Sequence, residues 1–148
     1  MARELSQEEM VGLMAEHDAA EATGDVAATM KTVCANPSYE FQPLGYHIRS
    51  REAVAEMYRR LLPSQREVVR GAKIKNRWFS RDGYVVEFEF DIADSSGAPF
   101  KSHVMVAFVF EDGLVKAERV FLGPKHAELV KSALGTDFTR LPGISVEP

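Results

Sequence analysis

From Tyr84 to Ile92 the chain alternates. Tyr84, Val86, Phe88, Phe90 and Ile92 are apolar, and between them stand Val85, Glu87, Glu89 and Asp91. A period of two with one apolar and one acidic face predicts a strand buried on one side and wet on the other. A sheet of this kind needs cover on one face only. Upstream, apolar residues recur at helical spacing and can supply that cover. The chain is thereby constrained to helices laid on one side of an antiparallel sheet, an α+β arrangement.

Ser6 with Glu9 three residues later forms a capping box. Met10, Leu13, Met14, His17 and Ala20 then share one helical face. Gly24 suits the left-handed end of this helix, and Asp25 is a natural N-cap for the next. Val26, Met30 and Val33 give the second helix its stripe, and Asn36-Pro37 is expected to stop it. Ser38 to Phe41 reads as a short strand, followed by a polar-aromatic turn from Gln42 to His47. Ser50 is placed to cap a third helix striped by Val54, Met57, Tyr58, Leu61 and Leu62, with Pro63 expected to end it.

Strands follow. Val68 to Phe79 is the least regular, and Phe100 to Phe110 is apolar on both faces near its end. Asp112-Gly113 between apolar runs predicts a hairpin into Leu114 to Leu122. Pro124 opens a last short helix that Gly135 closes. The expected organisation is one domain over residues 1–148, with a core from 6 to 135 and a C-terminal tail from 136 to 148 that lacks a period and either wraps the surface or is loose.

At 148 residues, with 45% hydrophobic and 27% charged side chains, the chain has the size and composition of a soluble globular domain. A net charge of −4 and the lack of a Lys/Arg cluster speak against nucleic acid as a partner. No apolar run approaches the roughly 20 residues that span a bilayer, so no membrane partner is expected. The first residues carry no signal-peptide core, and the lone Cys34 forms no internal disulfide. A cytoplasmic protein is the expectation.

The segments "EATGDVAATM", "YEFQPLGYHIRSREAVAEMYRRLL" and "VAFVFEDGLVKAERVF" together resemble the NTF2-like superfamily. Within it, the chain resembles the SnoaL-like and ketosteroid-isomerase-like members, over Leu13 to Gly123. The resemblance implies a cone: three N-terminal helices packed on a curved, mainly antiparallel sheet, with a short C-terminal helix and a pocket inside. The family's functional positions carry over one by one. The proton-shuttling Asp that steroid isomerases place before the Pro of the turn is Gln42 here, and an amide is no general base. Their protonated Asp corresponds to Val106, and the last-strand Asp of the family's polyketide cyclases and epoxide hydrolases to Val120. The isomerases' hydrogen-bonding Tyr on helix one maps near His17, and the supporting Tyr on helix three maps to Tyr58.

His17 is the leading candidate for chemistry. An ordinary pKa near 6.5 makes histidine a proton carrier at neutral pH, and an apolar helix face points it into the cone. The plain alternative is a core histidine satisfied by a backbone carbonyl. Tyr58 orients His17 or a ligand oxygen, or is simply a core aromatic. Glu118 shares parity with Val120 and Leu122. If those face the cone, Glu118 is a buried carboxylate with a raised pKa; with the parity reversed, Arg119 faces inward and clamps an anion. Ligand-binding positions are Tyr39 and Gln42 at the mouth, with Val106, Phe108, Val120 and Trp78 as apolar walls. His47 is expected exposed, His103 on the outer sheet face, and His126 solvated at the start of the last helix. His17, His47 and His103 have no metal-ligand spacing and there is no Gly-rich phosphate loop, so no metal and no cofactor are expected.

Two functions fit. One is a cofactor-independent enzyme moving protons on a small apolar oxygenated compound, polyketide, steroid-like or aromatic, as an isomerase, dehydratase (a lyase) or cyclase. The other is a non-catalytic small-molecule-binding or dimerisation module of the same fold. The apolar row Met105, Ala107, Val109 on the outer sheet face predicts a homodimer.

Overall fold

The computed structural model describes residues 3 to 147. Helix α1 (Gln7–Ala22) opens at Ser6, whose hydroxyl accepts from the Glu9 amide while the Glu9 carboxylate takes the Ser6 amide. Helix α2 (Val26–Lys31) is capped by Asp25. Strands β1 (Val33–Gln42) and β2 (Tyr46–Arg49) form a hairpin, and helix α3 (Arg51–Val68) follows. Strands β3 (Val69–Phe79), β4 (Gly83–Ala93), β5 (Pro99–Glu111) and β6 (Leu114–Phe121) make an antiparallel meander. Helix α4 (Pro124–Leu134), a single turn at Phe138–Arg140 and strand β7 (Ile144–Val146) complete the described chain.

The sheet has seven strands in the order β3-β4-β5-β6-β1-β2-β7. All pairs are antiparallel except β1 with β6, which run parallel. The helices cover one face, as the one-sided alternation of β4 requires. On β5 the inward row Ser102, Val104, Val106, Phe108, Phe110 is buried, while Lys101 and His103 on the opposite face are exposed. Met14, Val54, Met57 and Leu62 meet this row from α1 and α3. Among the described residues no helix is long and apolar enough to cross a membrane.

The elements differ from expectation in the second helix, the turn, the third helix and the tail; Tyr46–Arg49, partly read as turn, is strand β2. The second helix ends at Lys31, and β1 begins at Val33, running through Asn36-Pro37. The ladder tolerates Pro37 because the β1–β6 register shifts between Val33 and Ser38, the kind of irregularity where a missing N–H does no harm. Pro63 lies inside α3 rather than ending it. An internal proline costs about 3 kcal/mol, and burying Leu61 and Leu62 at its side contributes about 1.5–3 kcal/mol each. The tail is anchored: Phe138 is fully buried, and β7 pairs with β2 through Tyr46–Val146, His47–Ser145 and Ile48–Ile144. A single apolar anchor and a three-residue strand are too short to leave a period.

Candidate active site

Between the helices and the inner sheet face lies a cavity of about 590 Å³. Its walls are apolar over Phe88, Phe90, Val104, Val106 and Val120, and one end is polar. That end is built around His17. The ring is 1% exposed, and each nitrogen has a defined partner. Nδ1 lies 2.7 Å from Thr32 Oγ1, whose own proton goes to the Thr29 carbonyl at 2.6 Å. Thr32 therefore accepts from His17, and Nδ1 carries a proton.

Nε2 faces three oxygens: Glu21 Oε1 at 3.0 Å, the Tyr58 hydroxyl at 3.1 Å and Glu118 Oε1 at 3.3 Å. Burial opposes charge on the ring, but hydrogen bonds to Glu118 and Glu21 outweigh it and raise the imidazole to about 11. His17 is an imidazolium throughout the neutral range. This corrects the expectation of a proton carrier near 6.5: two carboxylates hold the proton in place.

The Tyr58 hydroxyl lies 3.2 Å from the Tyr39 hydroxyl and 3.4 Å from Glu118 Oε1. Burial, reinforced by the Glu118 charge, pushes both phenols well above their ordinary value. Both stay protonated and act as donors. Glu118 points inward with Val120, and Arg119 points outward to Glu40 at 2.9 Å, which settles the parity left open by the sequence.

Asp18 lies beside His17 on the cavity wall. Burial raises its carboxyl, and the nearby Glu21 charge adds to the effect, reaching about 7 against an ordinary 3.8. Among the described residues no hydrogen bond engages it. Asp18 was missed in the sequence because it stands one residue beyond the apolar stripe and reads as part of the solvated face. Glu21 carried a usable signal, being four residues after His17.

The other expected ligand contacts divide. Val106, Phe108 and Val120 line the cavity, and Tyr39 is buried behind Tyr58. Gln42 is not a wall residue; it ends β1, where its carbonyl accepts from the Leu122 amide at 2.8 Å. Trp78 is 51% exposed and lies outside the cavity. It pairs with Val85 on β4, whose parity is that of Glu87, so it faces outward. His47 is partly covered by Glu40 and Glu147 instead of standing free, and His103 is exposed on the outer face. His126 is 6% exposed and lines the cavity, contrary to the solvated position expected. Helix α4 buries His126, Ala127, Val130 and Leu134, and that face carries the ring inward.

No family model matches the chain, and no curated protein does. Solved structures do. A protein named as a SnoaL-like polyketide cyclase from Jannaschia sp. CCS1 aligns with a TM-score of 0.70 at 16% identity, over 88% of this chain and 98% of that one. The epoxide hydrolase/cyclase-like enzyme SalBIII, of pyran ring formation in salinomycin, aligns at 0.66 and 17%, over 96% and 98%. An NTF2-like protein of unknown function from Cytophaga hutchinsonii ATCC 33406 aligns at 0.63 and 13%, over 77% and 99%. At such identities the likeness is one of fold: the chain has the NTF2-like α+β cone.

Proposed function

We propose that the protein is an enzyme that needs no cofactor and moves a proton on a small apolar oxygenated molecule, of polyketide, steroid-like or aromatic kind. The step is of isomerase, dehydratase or cyclase type. The carrying observation is the cluster Asp18, His17, Glu21 and Glu118 at one end of a cavity whose sheet wall is apolar. The names of the cyclase and the cyclase-like enzyme with this fold agree with it.

Asp18 is the proton-transfer group in this reading. With a carboxyl near 7 it is present as acid and base together at neutral pH, which suits general acid–base work. His17 acts through others: its fixed charge holds Glu118 and Glu21 in place. Tyr58, un-ionised, donates to the Glu118 side of the site and limits where a ligand oxygen can rest. Glu118, 3.3 Å from His17 Nε2 and 3.4 Å from the Tyr58 hydroxyl, fixes both groups at the polar end of the cavity.

The test is exchange of α-protons for deuterium in a panel of cyclic ketones, followed by NMR in D₂O. The wild type accelerates exchange of at least one ketone over buffer, and Asp18→Asn lowers that rate by about 10²- to 10⁴-fold. Ketones that bind without accelerated exchange would favour the second reading, a small-molecule-binding module. That reading is supported by Gln42, Val106 and Val120, which stand where the resembled families carry their carboxylates.

A homodimer through the outer sheet face is part of the proposal. Met105, Ala107 and Val109 lie there only half covered, and Trp78 and Phe121 are exposed on the same side.

A further inference from the structure

A second polar pair stands at the cavity wall, away from the acid cluster, with His126 lining the cavity and Ser102 buried behind it. Ser102 on β5 and His126 on α4 are both buried, and Ser102 Oγ lies 2.8 Å from His126 Nδ1. Burial alone pushes the His126 imidazole down to about 4, so the ring is neutral and has one N–H and one acceptor nitrogen.

Among the described residues the Ser102 hydroxyl has no other hydrogen-bond partner. Donating to Nδ1 satisfies it, as a buried hydroxyl requires. The ring proton then sits on Nε2. That nitrogen has no partner among the described residues, yet it is not among the buried polar atoms sealed from solvent. The ring lines the cavity, so the N–H opens onto cavity space.

Ser102 is six positions from Phe108, and Phe108 is the β5 partner of Glu118. At about 3.4 Å per residue the two polar ends are about 20 Å apart along the strand. Val104 and Val106 fill the interval on the same inward row.

We propose that His126 is a ligand-binding residue whose Nε2–H, oriented by Ser102, takes a carbonyl or ether oxygen at the end of the ligand remote from Asp18. The substrate then carries oxygen at both ends of an apolar body. This rests on the reading of the cavity as a substrate site, and it does not depend on turnover. A neutral donor also selects against a cationic group at that end.

One measurement needs no ligand. The ¹⁵N signals of the imidazoles in the full chain should show His126 neutral, with its proton on Nε2, from roughly pH 5 to 8. The other tautomer, or an imidazolium in that range, overturns the proposal. The second measurement compares calorimetric binding of androstanedione, with an oxygen at each end, and androstanone, with one. The wild type should bind the diketone about tenfold tighter. His126→Phe should remove the preference, and His126→Gln, which keeps an N–H at similar reach, should restore it. Equal binding of the two ketones by the wild type, no binding of either, or a preference that survives in a folded His126→Phe overturns it. The preference should persist in Asp18→Asn. A wild type that shows the preference but accelerates no proton exchange counts against the proton-transfer reading alone.

Discussion

His17 and Asp18 are neighbours on one helical turn with opposite acid–base behaviour. Each has a folded value above its unfolded one, His17 at about 11 against 6.5 and Asp18 at about 7 against 3.8. For His17 the stabilisation is complete below the unfolded value and is lost as pH rises through the folded one. For Asp18 the folded chain holds the extra proton between 3.8 and 7, so the ionised carboxylate costs stability above that window. Asp18→Asn should therefore melt higher than the wild type at pH 8, by roughly 1–2 kcal/mol after allowing for partial exposure. The gap should close toward pH 4, as thermal unfolding followed by circular dichroism will show. His17→Leu should cost about 3 kcal/mol or more by leaving Glu118 and Glu21 without their cation. Pairing it with Glu118→Leu should recover part of that loss in a double-mutant cycle, whereas additive losses would deny the coupling. His17, Tyr58 and Glu118 were legible because they sit on apolar stripes where a polar residue stands out. Asp18 and His126 were not, since each looks like a solvent-facing helix residue until the curvature of the sheet decides which way it faces.

At the scale of elements, the chain end is held by specific contacts. Gly45 has φ 69, and a Cβ there would collide with the Glu147 carbonyl, which accompanies the Glu147 amide's bond to the Gly45 carbonyl at 2.8 Å. Gly45→Ala should cost about 2 kcal/mol and raise amide exchange first in Ile144–Val146. Phe138→Ala should cost about 3–5 kcal/mol from loss of a fully buried ring. Denaturant titration measures both, and a change near zero for Phe138→Ala would mean that the last turn is not anchored. The hairpin at Asp112-Gly113 and the capping box at Ser6 were readable because local chemistry alone sets them. The continuation of α3 past Pro63 was not, because it depends on what Leu61 and Leu62 bury against.

For the whole molecule, the helices-then-strands order was enough to anticipate helices on one face of an antiparallel sheet, since a sheet with one apolar face admits few covers; the cone came with the family resemblance. The insertion of β1 between β6 and β2 is a long-range pairing, carried in the sequence only by the family resemblance. The exposed apolar outer face gives a test of assembly: the wild type should sediment as a dimer at micromolar concentration, and Ala107→Glu, in the middle of the row, should sediment as a monomer. A monomeric wild type would refute the homodimer. The parallel β1–β6 pairing also has a consequence in time. Strands β3 to β6 pair with their sequence neighbours and close short loops. Joining Tyr39 to Glu118 closes more than half the chain, and such contacts are rewarded late. His17 and Tyr39 come from one end of that closure and Glu118 from the other, with Tyr58 inside the loop it closes. The His17–Glu118 contact thus depends on that long closure, whereas the His17–Glu21 contact is local to one helix.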